Sequence, residues 1–190
     1  MTLLGRLLNN RRAGETHMAW HLPNLQGPEA LNLTSEDFGH GRAMPLRNCA
    51  KTIGGDDVSP HLAWTPPPPG TAQLLLVVED VDVPLIKPAV HCLALIDPAA
   101  DHLDPGALAA RKPAAGVRVL RSTIGRGYHG PGPIKGHGPH RYVFQLFALS
   151  SRLDGAPGST PPDRTRPRVL LPAITASVLT RGRLTGTYER

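Results

Sequence analysis

Four polar side chains stand at the ends of three apolar runs and could together bind an anion. Asp80 and Asp82 follow the first run, His91 opens the second, and His140 precedes the third. A carboxylate that bonds one imidazole nitrogen fixes the tautomer of the ring and favours the imidazolium form. If the three runs are adjacent strands, these side chains meet. The pattern therefore predicts a small pocket for a phosphate or a carboxylate.

A loop rich in glycine and proline leads into the third apolar run. Between Gly125 and Pro139 the sequence has six glycines and three prolines, a density that constrains the backbone to a particular path. The loop ends in His140, Arg141 and Tyr142, where irregular backbone becomes strand, and binding sites are often built at such places. Glycine amides in the loop can add hydrogen-bond donors to the pocket.

Each of these residues also has a purely structural interpretation. His91 is also explained as a core histidine, and short acidic side chains commonly bond the backbone of a following turn. Arg141 is also explained as an ion-pair partner of Asp82 that closes the loop. We expect His129 and His137, which lie within the loop, to be exposed.

A metal site and a hydrolytic site are the catalytic alternatives. Two aspartates and two histidines can bind a divalent ion, but their spacing here matches no compact metal motif. The sequence has no GxSxG elbow and no HExxH helix. We therefore expect no metal, no cofactor and no catalytic residue, and we favour the simple anion pocket.

Apolar patterning predicts the elements that position these residues. Gln73–Val78 and Ala89–Ile96 are continuous apolar runs typical of strands buried on both faces, and Arg141–Leu149 is a third strand. The other predicted elements are strands over Ala30–Phe38 and Val117–Leu120, a short helix over Asp104–Lys112 and a C-terminal helix over Val169–Leu179. Short strands and long turn-rich loops favour a mainly β fold, a Greek-key-like antiparallel β-sandwich with few short helices and a C-terminal helix.

Composition favours one globular domain with an acidic partner. The 190 residues form a single predicted domain, with residues 1–25 as an irregular basic extension. The formal charge of +6 suits a phosphate, an anionic membrane face or nucleic acid. No stretch resembles a signal peptide or a transmembrane span, so we expect a cytoplasmic protein. Cys49 and Cys92 lack metal-type spacing, and we expect both to be reduced.

These motifs together resemble the phosphatidylethanolamine-binding protein family, also called the Raf kinase inhibitor protein family, and especially its bacterial branch. Asp80–Pro84 is similar to the family motif Asp-Pro-Asp-Ala-Pro, and Ser59–Trp64 is similar to the Ser-Pro-x-Leu-x-Trp approach. Gly130–Tyr142 resembles the signature Gly-Pro-x-Pro-Pro-x-Gly-x-x-x-His-Arg-Tyr, and Leu184–Tyr188 resembles the bacterial ending. The resemblance extends from about Leu31 to Tyr188.

The resemblance implies an antiparallel β-sandwich with a surface pocket for phosphate, phospholipid headgroups or other small anions. By motif position, the pocket residues are Asp80, Pro84, His91, Gly130, Gly132, His140 and Tyr142, supported by Asp82 and Arg141. Some family members regulate kinases or inhibit proteases, so a protein partner is also implied. We expect no nucleic acid partner and at most peripheral membrane contact. A homodimer is compatible with the sequence.

The sequence departs from the family pattern at the pocket. Val81 and Val83 replace the proline and alanine of the acidic motif, and Ile134 replaces the second loop proline, which removes fixed φ angles. Cys92 stands where many bacterial members have tryptophan. The choice of ligand is therefore the feature that the resemblance predicts least.

We favour a non-catalytic module that binds a small anion or a phosphate headgroup, with a regulatory or ligand-binding role. The alternatives are an interaction protein that inhibits a kinase or a protease, and a weak esterase or phosphatase. The last would use His140 and Asp80 as acid and base.

Overall fold

The computed structural model describes residues 3–8, 10–153 and 160–190, and the fold is mainly β with two sheets and a few short helices. The strands are β1 Leu33–Thr34, β2 Arg42–Ala43, β3 Leu62–Trp64, β4 Gln73–Asp80, β5 Ala89–Ile96, β6 His102–Leu103, β7 Val117–Val119, β8 His140–Leu149 and β9 Val178–Tyr188. The α-helices are α1 Leu3–Leu8 and α2 Pro167–Leu170. Short 3₁₀ helices span Ala19–His21, Pro23–Leu25, Leu46–Asn48, Lys51–Ile53 and Leu171–Ala173.

The strands form a large sheet and a small sheet. The large sheet has the order β2-β9-β8-β4-β5-β7, and the small sheet has the order β1-β3-β6. Neighbouring strands are antiparallel, as predicted, except that β2 runs parallel to β9. The long strands predicted over the three apolar runs are β4, β5 and β8, and they are adjacent. The description as a Greek-key sandwich stays a prediction.

The large sheet is buried on both faces. Leu74 on one face of β4 packs in a cluster that includes Leu62 of the small sheet. Leu75 on the opposite face packs in a second cluster with Trp20 and Phe147, whose ring centroids lie 5.9 Å apart. Because both faces of a central strand need apolar side chains, β4 and β5 read as continuous apolar runs.

The predicted C-terminal helix over Val169–Leu179 was wrong. The structure has only the short helix α2 and a 3₁₀ turn there, and β9 begins at Val178. Pro172 limits the helix, and β9 pairs with β8 from Val178 to Tyr188. The helical spacing of apolar residues in this segment was coincidental, because β8 offers the segment a full antiparallel partner.

Two further predicted elements differ from the structure. The segment Asp104–Lys112 forms turns and not a helix, because Gly106 has φ of 84°, a conformation outside the helical region. The Gly106 amide also donates to the carbonyl of Ser59. The predicted strand Ala30–Phe38 is reduced to β1, while the predicted strand Val117–Leu120 agrees with β7.

The first 25 residues, predicted as an irregular extension, contain α1 and two 3₁₀ turns. Met18, Trp20 and Leu25 are buried in the second cluster. Among the described residues, no helix is both long enough and apolar enough to cross a membrane. The single-domain organisation stays a prediction.

Gly182 of β9 is expected to be intolerant of a side chain. A Cβ atom at this position would overlap the carbonyl oxygen of Leu31, whose amide bonds the neighbouring Arg181 carbonyl. We expect Gly182→Ala to lower the free energy of unfolding by about 2 kcal/mol, because the backbone must shift to relieve the overlap. Urea denaturation measures this.

The matched control is Gly39→Ala. A Cβ atom at Gly39 would meet nothing nearer than a side-chain carbon of Arg42 at 3.5 Å. We expect this change to alter the free energy of unfolding by no more than about 0.5 kcal/mol. Equal decreases in the free energy of unfolding of the two variants would contradict the close approach of the Leu31 carbonyl to Gly182.

Candidate functional site

The polar residues predicted at three strand ends meet at one end of the large sheet. Asp80, the last residue of β4, is paired with Ala89 of β5 on one side and with Tyr142 of β8 on the other. Asp80, His91 and His140 are all buried. The pairing of β4 with both neighbours brings these residues together, as the sequence predicted.

A β-bulge directs His91 towards this cluster. Val78 is paired with Cys92 and Glu79 with Val90, so His91 has no partner residue on β4. Bulges change the direction in which a side chain points and are frequent next to functional sites. The imidazole of His91 lies edge-on to the ring of Tyr142, with centroids 5.2 Å apart.

His140 is held by hydrogen bonds from both ring nitrogens. Its Nδ1 lies 2.7 Å from Oδ2 of Asp80, and its Nε2 lies 2.7 Å from Nδ1 of His137. The other oxygen of Asp80 accepts the amide of Asp82 at 2.9 Å. The sequence predicted that the His140 ring grips an anion, but neither nitrogen is free, so this ring positions the site.

His91 keeps one ring nitrogen available. Its Nδ1 lies 2.8 Å from the carbonyl oxygen of His129, so this nitrogen carries the proton and donates. Burial lowers the pKa of His91 below its ordinary value, although the nearby Asp80 charge opposes this shift. The ring is therefore neutral at neutral pH, and Nε2 has no partner among the described residues.

Tyr142 contributes a buried hydroxyl group. Its side chain is 1% exposed, and the hydroxyl proton has no acceptor among the described residues. The backbone amide of Gly132 lies near the hydroxyl oxygen and slightly opposes the rise in its pKa. The ring is near-parallel to His140, with centroids 6.4 Å apart. Burial raises the pKa of Tyr142, so the hydroxyl stays protonated and can donate. An unpaired buried hydroxyl costs about 1–3 kcal/mol, which a bound acceptor would recover.

The two predicted loop glycines serve different purposes. A Cβ atom at Gly130 would overlap the backbone of Asn48, and the Gly130 amide donates to Oδ1 of Asp57 at 2.8 Å. This amide is therefore occupied within the protein, and for the other glycines of the loop the binding of an anion by backbone amides stays a prediction. Gly132 is exposed, and a Cβ atom at this position would lie 3.3 Å from Cβ of Ala50.

Asp82 and Arg141 form the ion pair that the structural interpretation predicted. Nε and NH2 of Arg141 donate to the two carboxylate oxygens of Asp82 at 2.8 and 3.0 Å. NH1 of Arg12 also lies 3.2 Å from Asp82. Burial alone would raise the pKa of Asp82, but the hydrogen bonds and charge of Arg141, together with the charge of Arg12, hold it below its ordinary value.

Pro84 lies partly buried in the turn after β4. It is followed by Leu85 and Ile86, which are 54% and 86% exposed. These side chains form an apolar tip beside the polar cluster.

Sequence analysis missed His137 as a member of the site. We expected it to be exposed, but it is 1% exposed, and it bonds His140. The signal that could have identified it is its position three residues before His140, across the Gly-Pro turn. His129 is partly buried, contrary to the prediction, and it supplies the carbonyl that orients His91.

Neither a metal centre nor a large cleft coincides with the cluster. Within residues 3–8, 10–153 and 160–190, no three His, Cys, Asp or Glu side chains are arranged to hold a metal ion. A cleft of about 750 Å³ lies elsewhere, lined by residues that include Arg152, Arg166 and Ile174. No lining residue of that cleft belongs to the polar cluster.

Comparison with known proteins assigns the family. The family model for phosphatidylethanolamine-binding protein matches residues 34–189. The chain belongs to the phosphatidylethanolamine-binding protein family. Its matched segment includes strands β2 to β9 and every residue of the polar cluster described above.

Individual relatives are similar to this chain over most of its length. Phomoidride biosynthesis cluster protein B from a fungal species is 32% identical over 196 residues, covering 98% of this chain and 92% of the relative. A UPF0098 protein from Aquifex aeolicus is 31% identical over 165 residues, covering 86% and 91%. The crystal structure of Escherichia coli YbcL, described as a new member of the mammalian family, covers 84% of this chain and 98% of its own. It has a TM-score of 0.71 at 24% identity, a likeness of fold alone.

The ion pair of Asp82 predicts a pH-dependent contribution to stability. We expect Asp82→Asn to lower the free energy of unfolding at pH 7 by about 2 kcal/mol, because the variant loses charged hydrogen bonds. The folded-state pKa of Asp82 lies below its unfolded value, so its contribution is complete above about pH 4. The difference between the proteins should shrink as the pH falls through the folded-state pKa. Urea denaturation at several pH values measures this.

Asp163→Asn is the matched control for this change. Asp163 pairs with Arg118 at 3.3 Å and Arg126 at 3.1 Å, and these side chains are substantially exposed. We expect this substitution to cost less than about 1 kcal/mol. A loss for Asp82→Asn no larger than that for the control would contradict the role assigned to the buried pair.

Proposed function

We propose that this chain is a non-catalytic module that binds a small oxyanion of the phosphate type at the cluster of Asp80, His91, His140 and Tyr142. The single observation that carries the proposal is the buried Tyr142 hydroxyl, whose proton has no acceptor among the described residues, although the Gly132 amide lies near its oxygen. The hydroxyl lies beside the ring of His91, whose hydrogen bond is made at Nδ1 and leaves Nε2 for a ligand. A ligand oxygen between these two groups would satisfy both.

The hydrogen-bonding capacity of these groups restricts the ligand. Tyr142 can donate to an oxyanion, while neutral His91 offers a lone pair at Nε2 and accepts a proton or an O–H group. A hydrogen phosphate or a phosphate monoester has both an acceptor oxygen and, when singly protonated, a donor. The site is therefore suited to a protonated phosphate group.

The charge of the cluster supports the same ligand class. The Asp80 carboxylate accepts hydrogen bonds at both oxygens, one from His140 and one from the Asp82 amide. This carboxylate would repel a second negative charge placed near it. Protonation of either the ligand or His91 reduces that repulsion, so binding is coupled to proton uptake.

The non-catalytic part of the proposal is supported by the state of the candidate reactive groups. Burial raises the pKa of Cys49 to about 11 and that of Cys92 to about 12, so neither provides a thiolate nucleophile at neutral pH. His140, the general acid or base of the esterase alternative, has both nitrogens occupied.

The phosphate group could be inorganic or could belong to a phospholipid headgroup, and the experiment distinguishes these sources. Parallel titrations use inorganic phosphate, phosphoethanolamine and phosphatidylethanolamine vesicles. The exposed Leu85 and Ile86 beside the site favour contact with lipid. Vesicle binding that requires these two side chains supports a lipid headgroup, and binding of the soluble compounds alone supports a free anion.

Bound phosphate is expected to raise the pKa of His91. The ring is neutral because burial lowers its pKa, and an adjacent anion favours the charged form. Binding should therefore strengthen as the pH is lowered from about 8 to about 6. NMR titration of the His91 ring with and without inorganic phosphate measures both effects. Ring signals that do not move at millimolar phosphate would refute the proposed function.

Tyr142→Phe is expected to weaken phosphate binding with little effect on stability. The variant removes a buried hydroxyl whose proton has no acceptor among the described residues and whose oxygen has only the nearby Gly132 amide, so the free energy of unfolding should change by less than about 1 kcal/mol. Phosphate affinity should fall about tenfold, because one hydrogen bond to a charged group is lost. Isothermal titration calorimetry and urea denaturation report the two quantities. The control is Tyr188→Phe, outside the cluster, which should leave affinity unchanged; an unchanged affinity in Tyr142→Phe would count against the proposal.

A further inference from the structure

The N-terminal segment crosses the two chain segments that carry the polar cluster. Leu8 and residues 10–15 are here called the N-terminal strap. The Ala13 amide of the strap donates to the carbonyl of Val83, in the turn after β4, at 2.9 Å. The Gly14 amide also donates to the Val81 carbonyl at 2.8 Å. These two backbone hydrogen bonds hold the strap alongside the turn that contains Asp82.

Side chains of the strap bond the other wall of the cluster. NH1 of Arg12 donates to the Pro139 carbonyl at 2.8 Å, and NH2 donates to the His137 carbonyl at 3.3 Å. The carboxylate of Glu15 accepts from Arg141 at 2.6 Å. Because Arg12 also pairs with Asp82, the strap joins the turn after β4 to the loop before β8.

His137 connects the strap to the cluster. Its Nε2 faces the carbonyl oxygens of Leu8 at 2.7 Å and Arg11 at 3.1 Å. A carbonyl oxygen can only accept, so Nε2 of His137 carries a proton. Its Nδ1 meets Nε2 of His140 at 2.7 Å, and one proton lies between these nitrogens.

We propose that the N-terminal strap is part of the binding site and that His137 is a positioning residue. The strap orients the ring of His137, and that ring orients the ring of His140. The carbonyls of Leu8 and Arg11 fix the tautomer of His137, and His137 then fixes the ring of His140 against Asp80. The strap precedes residue 34, where the family match begins, so the family motifs do not contain it. The effect on ligand affinity rests on the proposed function.

The central test compares Arg12→Gln with Arg111→Gln in the full chain. Arg111 is exposed, lies outside the strap and the polar cluster, and has no side-chain hydrogen bond or ion pair among the described residues, so both variants remove one positive charge from the surface. We expect Arg12→Gln to weaken the binding of inorganic phosphate about tenfold, and Arg111→Gln to change it less than about twofold. Calorimetry measures affinity, and thermal denaturation confirms that both variants are folded.

NMR signals of the histidine rings test, in the absence of a ligand, whether the strap influences His140. The ¹⁵N shifts of His137 and His140 should change in Arg12→Gln and stay the same in Arg111→Gln, because only the first variant releases the strap. If the unaltered protein binds no phosphate, the proposed function fails, but these shifts still test the strap. Unchanged shifts in a folded Arg12→Gln protein would overturn the inference whether or not phosphate binds.

Two substitutions of His137 give a second test. An asparagine amide reaches about as far as Nδ1 and can meet His140, whereas a glutamine amide reaches about as far as Nε2 and can meet the strap carbonyls. Neither side chain spans both, so His137→Asn and His137→Gln should each shift the His140 ring signals and weaken phosphate binding. Full affinity and unshifted signals in His137→Asn, which retains the His140 contact alone, would show that the strap has no influence on the site.

Discussion

The hydrogen bonds accepted by the Asp80 carboxylate hold together the end of the large sheet where the candidate site lies. Its two oxygens accept hydrogen bonds from different segments, one from the His140 ring and one from the Asp82 amide. Asp80 also ends the central strand β4, which pairs with β5 and β8. A buried carboxylate is stable only when such partners compensate its lost hydration. The turn after β4 and the loop before β8 are therefore held in a fixed relation to the sheet.

Asp80, at the end of β4, and Asp82, two residues later in the turn, have different partners. Asp80 bonds the imidazole of His140, and Asp82 bonds the permanently charged guanidinium groups of Arg141 and Arg12. An arginine does not lose its charge in a protein, so the Asp82 pair is a constant structural element. The Asp80 contact instead orients the ring of His140 within the candidate site.

Sequence reasoning located strands β4, β5 and β8 well because a central strand is apolar on both faces. It also found Asp80, His91, His140 and Tyr142, whose spacing carries the family motifs. It failed for β9, because a segment with apolar residues at helical spacing is decided by the partner available to it, and β8 was that partner. It failed for His137 for a related reason: the carbonyls that bury this ring belong to residues about 130 positions earlier in the chain.

The sequence by itself determined the mainly β class, the three central strands and the residue types gathered at their ends, because these follow from local apolar patterning and motif spacing. Only the tertiary structure decided which nitrogen and which amide remain available to a ligand. The bulge at His91, the occupied ring of His140 and the Asp57 contact of Gly130 all depend on groups distant in sequence. A polar group bonds the partners that tertiary packing places within about 3 Å of it. The local sequence pattern does not specify which partners these are.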